Sequence, residues 1–352
     1  MSVYINGIGA ITPQGCFPSE DFLKEMKTFE AGRLTVEEPR YSDFIGPVQL
    51  RRMSKIIKMG LTSALMCLND AGLKKPDAII TATGLGAVED TDKFLDNLTD
   101  DQESFLNPTP FIQSTHNAVA ARIAIETACR NYNMTYVHKN AAFEHALLDA
   151  ILKINSHEFQ HILLGGTEEM TEDNYNLKKH VGFWKENTGN ADLLKNNNSQ
   201  GTIAGEGSVF FSLSSEKTNH SYAEVVGTKT RYKLPDNPKD ALINFLSQHS
   251  FSIEDIDLVF LGINGNVEED HIYNDLTENA FQKTGMAWYK HLCGEYETAS
   301  GFSLMLAARI LKTQKIPDFI RLGNSPSKEV KNILMYQQRF NKNHSFTILS
   351  KC

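Results

Sequence analysis

The strongest constraint on this chain is an alternation. Short, continuously apolar runs rich in β-branched residues take turns with stretches of helical periodicity, over nearly the whole length. Residues 3–11 read as a strand that stops at Thr12-Pro13. Residues 54–68 have helical spacing and end at Asp70-Ala71-Gly72, and 77–83 form a second apolar run closed by Gly84-Leu85-Gly86. A helix over 117–129, a short strand over 134–137, a helix over 143–154 and strands over 161–164 and 208–212 follow. The second half repeats the theme, with strands over 222–228, 256–263, 319–322 and 345–349 and helices over 238–249 and 301–313. Strands without hydrophobic–polar alternation are buried on both faces, and strand–helix alternation supplies the covering layers. The pattern predicts an α/β fold with parallel sheets covered by helices. At 352 residues the chain is long for a single core, which suggests two units. No long linker separates them, so they are expected to pack as one body. Residues 185–200, polar and rich in Asn, read as a surface loop.

Composition narrows the function classes. A net charge of -8 and the lack of basic runs interleaved with aromatics argue against a nucleic-acid binder, which needs clustered cations to meet phosphates. Five scattered cysteines (Cys16, Cys67, Cys129, Cys293 and Cys352), with no CxxC pair, argue against a zinc site or a disulfide framework. They fit a reducing cytoplasm. The first residues lack a basic segment followed by an apolar block, so no signal peptide is predicted, and no apolar run is long enough to span a membrane. Gly84-Leu85-Gly86 lacks the third glycine and later acid of a dinucleotide site, and no cofactor is expected. Glu268-Glu269-Asp270 reads as a solvated acidic turn rather than a metal site, and His271 beside it as a surface residue.

Several segments, in order, resemble β-ketoacyl-acyl-carrier-protein synthases. They are the opening run from Val3 to Pro13, then Arg51-Arg52-Met53-Ser54 with its helix to Asp70-Ala71-Gly72-Leu73. Asn107-Pro108-Thr109-Pro110-Phe111 and Asn117-Ala118-Val119-Ala120 follow, then Gly165-Gly166-Thr167-Glu168 and Gly205-Glu206-Gly207. The resemblance implies a thiolase-like fold, two pseudo-repeated halves in a five-layered αβαβα arrangement. The halves are placed at 1–215 and 216–352, the second short and without the family's glycine-rich gating loop, where Met335-Tyr336-Gln337-Gln338-Arg339-Phe340-Asn341-Lys342 stands instead.

Condensation in that family needs a thiol at a helix N-terminus, where the dipole favours thiolate, and two histidines that help decarboxylation and stabilise an enolate oxygen. Counting back from the Gly165-Gly166 motif puts Asn140 at the nucleophile position. An amide is no nucleophile, and a bland role for Asn140 is to cap the helix after it. The first histidine position falls on Asn266 in Ile263-Asn264-Gly265-Asn266. The second falls on Glu295, in a Lys290-to-Glu295 segment that keeps the family's lysine and glycine. A carboxylate there opposes an enolate unless it is protonated. Lys290 is expected to pair with a buried carboxylate, Glu168 being the partner that the family pattern suggests. Cys293 reads as a small buried hydrophobe before it reads as a nucleophile, and His138 and His145 as structural residues.

The resemblance therefore implies a subunit like a chain-length factor, without condensing activity. Such subunits pair with an active ketosynthase and shape the tunnel for a chain borne on an acyl carrier protein, in polyketide, aryl polyene or fatty-acid-type synthesis. Thr115, Asn117, Met134, Tyr136 and His138 are the positions implied for the shared interface or tunnel. Two other expectations remain: a homodimeric enzyme of different acyl-thioester chemistry with Glu295 as acid or base, and an acyl- or carrier-protein-binding protein.

Overall fold

The computed structural model describes residues 2–30, 32–100, 107–234, 237–282, 284–323, 326 and 328–352. Ten strands carry the architecture. In the first half they are β1 (Val3–Thr12), β2 (Ala78–Thr83), β3 (Asn133–Val137), β4 (His161–Glu168) and β5 (Gly207–Ser214). In the second they are β6 (Ala223–Tyr232), β7 (Leu258–Leu261), β8 (Gly285–Trp288), β9 (Asn332–Arg339) and β10 (Asn343–Ser350). The spatial order is β3-β2-β4-β5-β1 in one half and β8-β7-β9-β10-β6 in the other. Counted from the first strand of each half, both orders are 3-2-4-5-1. The directions match as well. The pairs β2–β3, β2–β4, β7–β8 and β7–β9 are parallel, and β4–β5, β5–β1, β9–β10 and β10–β6 are antiparallel. A short antiparallel pairing of Val3–Ile5 with Ala223–Val225 joins the two sheets. The order changes over between β5 and β6, and we propose the two halves as 1–215 and 216–352.

Helices fill the layers. They are α1 (Lys55–Asp70), α2 (Ala118–Thr127) and α3 (Ala142–Asn155) in the first half, and α4 (Pro238–Gln248), α5 (Val267–Asp275) and α6 (Ser300–Thr313) in the second. Side-chain alternation along the strands sorts most of the core into three large apolar blocks. Ile80, Leu164, Phe211, Phe260, Ile333 and Leu349 point into a central block with α3 and α6. Ile79, Leu163 and Phe210 point the other way, onto α1 and α2. Val259, Leu261, Leu334 and Tyr336 do the same in the second half, against α4 and Tyr273 of α5. This is a five-layered αβαβα arrangement. It explains why the strands read as unbroken apolar runs, since both of their faces are covered. α6 is buried on every side from Ser300 to Ala308, as a helix between two sheets must be. α1 approaches β1 closely because Gly9 has no side chain; a Cβ there would lie 2.1 Å from the Ser63 carbonyl oxygen.

Sequence periodicity placed the larger elements within a few residues. It missed β8, β9 and the helices Val88–Asp100, Glu172–His180 and α5. The strand expected over 319–322 is a turn of 3-10 helix, Asp318–Ile320, followed by two strand residues, Arg321–Leu322. The loop over 185–200 is only partly a surface feature. The Lys185 ammonium is turned inward and donates to the carbonyls of Asn196 and Ser199 and to Ser199 Oγ, and Asn190 is fully buried. No helix among the described residues is long and apolar enough to cross a membrane.

Phe143 at the start of α3 packs on Phe211 of β5 in the central block. Phe143→Ala is expected to cost about 3–5 kcal/mol in chemical denaturation, because the close-packed layers cannot collapse into the void.

Candidate functional site

The site lies where the loops after β7 and β8 meet the N-terminus of α3 and the end of β9. The loop after β8 is fixed by backbone contact. Gly294 has φ 73°, and a Cβ on Gly205 would sit 1.9 Å from the Cys293 carbonyl oxygen. The two segments therefore lie backbone to backbone, with Glu295 N–H donating to Ile203 O (2.8 Å) and Gly205 N–H donating to Glu295 O (3.2 Å). This clasp points the Glu295 side chain inward, where it is buried.

Glu295 is surrounded by donors. Lys290 Nζ lies 2.6 Å from Oε1, Asn264 Nδ2 donates to Oε2 at 3.0 Å, and Arg339 Nη1 stands 3.4 Å from Oε2. Burial alone would raise the Glu295 pKa. Arg339 and Lys290 outweigh it, with the Lys290 and Asn264 hydrogen bonds helping, and hold the carboxyl below its ordinary value. The same Arg339 Nη1 bonds both oxygens of Glu269, at 3.0 and 3.2 Å. Asp270 accepts from the N–H groups of Asn264 and Gly265 and so shapes the turn that presents Asn264; burial raises its pKa to about 7.

A cavity of about 30 Å³, room for a water or two, is lined by Asn140, Glu144, Lys290, Glu295, Ser300 and Arg339. Asn140 and Glu295 are thus brought together, with Lys290 beside them. Asn266 is not among the residues lining the cavity. It caps α5, its side chain accepting from Glu268 N–H and donating to Glu269 Oε1. The residue of that turn that touches Glu295 is Asn264, two positions earlier, which the sequence reading missed. The only signal for it was that the turn carries two asparagines.

Other expectations change. Lys290 pairs with Glu295 and not with Glu168. The Glu168 carboxyl instead accepts from Gly84 N–H and Thr83 Oγ1, and burial raises its pKa to about 8. The glycine turn at 84–86 thus directs a backbone donor to an internal acid. Asn140 does not cap α3; Ala141 holds that position with no side-chain bond. The acidic run 268–270 opens a helix, and only Glu268 of the three faces solvent fully. His271 is exposed on the same helix. Burial pushes the Cys293 thiol far above its ordinary pKa, which disarms it as a nucleophile. His138 and His145 stack edge to face at 5.1 Å outside the cavity lining. Glu144, in the first turn of α3, is a buried acid that sequence reading passed over. Ser345 Oγ donates to it at 3.2 Å, and burial raises its pKa. No group of three or more His, Cys, Asp or Glu able to hold a metal occurs among the described residues.

Residues 29–224 match the family model of the β-ketoacyl synthase N-terminal domain, more than half of the chain. The chain belongs to the β-ketoacyl synthase family. No curated protein matches it in a sequence search. Among solved structures it is similar over its full length to the ishigamide ketosynthase/chain length factor, with a TM-score of 0.83, 19% identity and 99% of that chain covered. A type II polyketide acyl-carrier protein in complex with its ketosynthase bound to the hexaketide gives 0.79, 14% identity and full coverage of this chain and 99% of that one. A β-ketoacyl synthase from Burkholderia phymatum STM815 gives 0.73 and 14%, with the same coverages. At these identities the likeness speaks for the fold, and the ketosynthase-like fold is common to all three.

Removing one member of the buried pair leaves the other charge unpaired, so Lys290→Met is expected to destabilise the protein by about 3–5 kcal/mol. The pH dependence has a definite sign. Glu295 has a folded pKa below its reference of 4.5, so its stabilisation is complete above that reference and is lost as pH falls through the folded value. Denaturation midpoints of wild type and Glu295→Gln should therefore lie farthest apart at neutral pH and converge as the pH falls below the reference of 4.5 and through the lower folded value.

Proposed function

We propose that this chain is a ketosynthase-like subunit without condensing activity, which pairs with a cysteine-bearing ketosynthase and helps shape the tunnel for its growing acyl chain. The observation that carries the reading is the state of the second histidine position. Glu295 there is ionised and bonded to Lys290, Asn264 and Arg339. A group so occupied neither donates a proton to an enolate nor stabilises its negative charge. With an amide, Asn140, at the nucleophile position, neither half of the condensation chemistry is provided. The same geometry weighs against Glu295 as the acid or base of a different acyl-thioester reaction.

The surface supports a partner. β3 pairs with β2 along one edge, and its other edge has no strand beside it among the described residues. A bare edge is a template for strand pairing with another chain. Met134, Val137 and His138 are exposed on or beside it, and Tyr136 is half-buried. Nearby, Thr115, Asn117, Ala121 and Ile125 line an apolar groove of about 440 Å³ with Val48 and Ile112. Exposed apolar area of this kind, beside a bare strand, suits a protein interface. For the acyl carrier protein, the supporting feature is Arg51 and Arg52, both exposed, which line a groove of about 980 Å³ whose lysines Lys55, Lys58 and Lys93 are matched by Glu38, Glu89, Asp90, Glu169 and Glu172. An acidic carrier surface is attracted to the two arginines rather than to the groove as a whole.

Co-expression with a cysteine-bearing ketosynthase, followed by native mass spectrometry, is expected to give a one-to-one complex. Val137→Pro, which removes an N–H that the parallel register with β2 turns toward the bare edge, should weaken that complex by at least about tenfold. The chain alone should release no condensed product from acyl and malonyl thioesters. Condensation by the isolated chain, or an unchanged product profile when it is left out, would overturn the reading.

A further inference from the structure

Two adjacent acids at the end of β4, Glu168 and Glu169, are only 2% and 4% exposed. Glu168 accepts from Gly84 N–H and from Thr83 Oγ1 (3.1 Å), and Thr83 Oγ1 in turn accepts from Gly86 N–H (2.9 Å). Glu169 accepts from Glu89 N–H (2.9 Å) at the start of the helix Val88–Asp100 and from Ile56 N–H (3.2 Å) in the first turn of α1. Residues 83–89 are therefore tied at one end to Glu168 and at the other to Glu169.

Like charges face both acids. Glu297 and Tyr296, in the loop after β8, face Glu168, and a Cβ on Gly84 would sit 2.4 Å from Glu297 Cβ. Glu89 and Asp90 face Glu169. The ammonium groups on these elements are engaged elsewhere. Lys55 bonds Glu206 (2.5 Å), Lys178 stands 3.7 Å from Glu297, and Lys58 acts on Glu89. Lys93 bonds Glu89 (2.5 Å) and reaches Glu169 only at longer range. Neither Glu168 nor Glu169 is in a salt bridge among the described residues. An ionised carboxylate accepts more strongly from N–H groups, but burial and like charge outweigh that gain. They raise the pKa of Glu168 to about 8 and that of Glu169 to about 7. The connection also reaches the surface. Gly86 has φ 71°, and a Cβ on it would lie 3.0 Å from the His116 ring. His116 stands between Thr115 and Asn117, which with Ile57 line the groove of about 440 Å³.

We propose that Glu168 and Glu169 are a proton-operated clamp on residues 83–89, closed while both carboxyls are protonated and loosened when they ionise, so that pH sets the order of the groove wall at His116. On ionisation, Glu168 sets a charge against Glu297, and Glu169 sets one against Glu89 and Asp90. Opening of residues 83–89 admits water and relieves both. The folded pKa values lie above the ordinary 4.5, so the stabilisation from these groups is complete below that value and is lost as pH rises through about 7 and about 8. The clamp is a property of this chain by itself and stands whether or not the chain pairs with a ketosynthase.

Hydrogen exchange of the full chain, read by mass spectrometry from about pH 6 to about pH 9 with labelling times scaled to the intrinsic rate, measures the opening. In wild type, protection of the amides at 84–89 should fall by at least about tenfold over that range, and the peptide over 114–118 should loosen with it. Peptides of β5 should stay at least about tenfold more protected at every pH, the signature of a local opening. Glutamine imitates the protonated acid, with one acceptor and no charge. In the double variant Glu168→Gln, Glu169→Gln, the fall should shrink to less than about twofold. Either substitution alone should cut the fall by at least about threefold, and the single variants serve if the double variant does not fold. A flat wild-type profile, or a fall of wild-type size in the variants, would overturn the proposal. So would residues 114–118 keeping their protection while 84–89 open, or 84–89 and β5 exchanging at one common rate.

Discussion

Everything in this molecule depends on two helices that lie between the sheets. Their apolar surfaces must be covered, all round α6 over Ser300–Ala308 and on the face of α3 that carries Phe143, Leu147, Ile151 and Ile154, while Leu152 stays exposed. That requirement draws the halves into one body. It turns Ile80, Leu164 and Phe211 of the first sheet toward Phe260, Ile333 and Leu349 of the second, with the helices between. A small antiparallel seam, Val3–Ile5 against Ala223–Val225, would not hold the sheets together alone. The helices do so, by removing a continuous apolar layer from water at roughly 25 cal/mol for each Å² buried. The site inherits its position from this layer. α3 presents Asn140 and Glu144 at its N-terminal end, and α6 begins at Ser300, so both helices deliver polar residues to the same cavity rim.

What stands at that rim is a closed electrostatic circuit. Two cations, Lys290 and Arg339, share the anions Glu295 and Glu269, and amide groups from Asn264 and Asn266 with the Phe340 N–H supply the remaining donors. Burying four charges is costly unless each finds partners of opposite sign at short range. Here each does, and the arrangement consumes the groups that a reaction would need free. A lysine whose ammonium lies 2.6 Å from a carboxylate, and a carboxylate with three donors on it, are tuned to hold a shape. The Gly205–Gly294 clasp makes the same point in the backbone, since it fixes Glu295 before any side chain acts.

The fold was legible because its strands are buried on both faces. Runs such as Ala78–Thr83 carry no polar alternation, and only layers on either side explain that. The duplication was less legible, because the halves share topology while their side chains have diverged; the common 3-2-4-5-1 order is a property of pairing, not of composition. β9 escaped notice because its later residues, Gln337, Gln338 and Arg339, are polar yet turn into the site, so they look like a loop. At the site, the positions of Asn140 and Glu295 could be counted from glycine motifs. Partners could not. Lys290 has two buried acids within a plausible reach in sequence, Glu168 and Glu295, and only the tight turn through Gly294 decides between them. Arg339 was visible only as part of a segment that replaces a glycine-rich loop, with no hint that its guanidinium lies between Glu269 and Glu295.

The two ends of the first sheet are treated differently, and the difference bears on why such a scaffold persists. One end is closed by β1, which is paired on both sides and joins the second half. The other ends in β3, five residues long, with one edge bare among the described residues and apolar side chains exposed along it. A chain stable by itself gains nothing from such an edge, which invites aggregation unless something covers it. The interior, meanwhile, holds its buried charges in ion pairs. The molecule thus concentrates its polar interactions in rigidity at the centre and keeps its unsatisfied backbone at the rim. That distribution is the one on which the proposed pairing with a ketosynthase would draw.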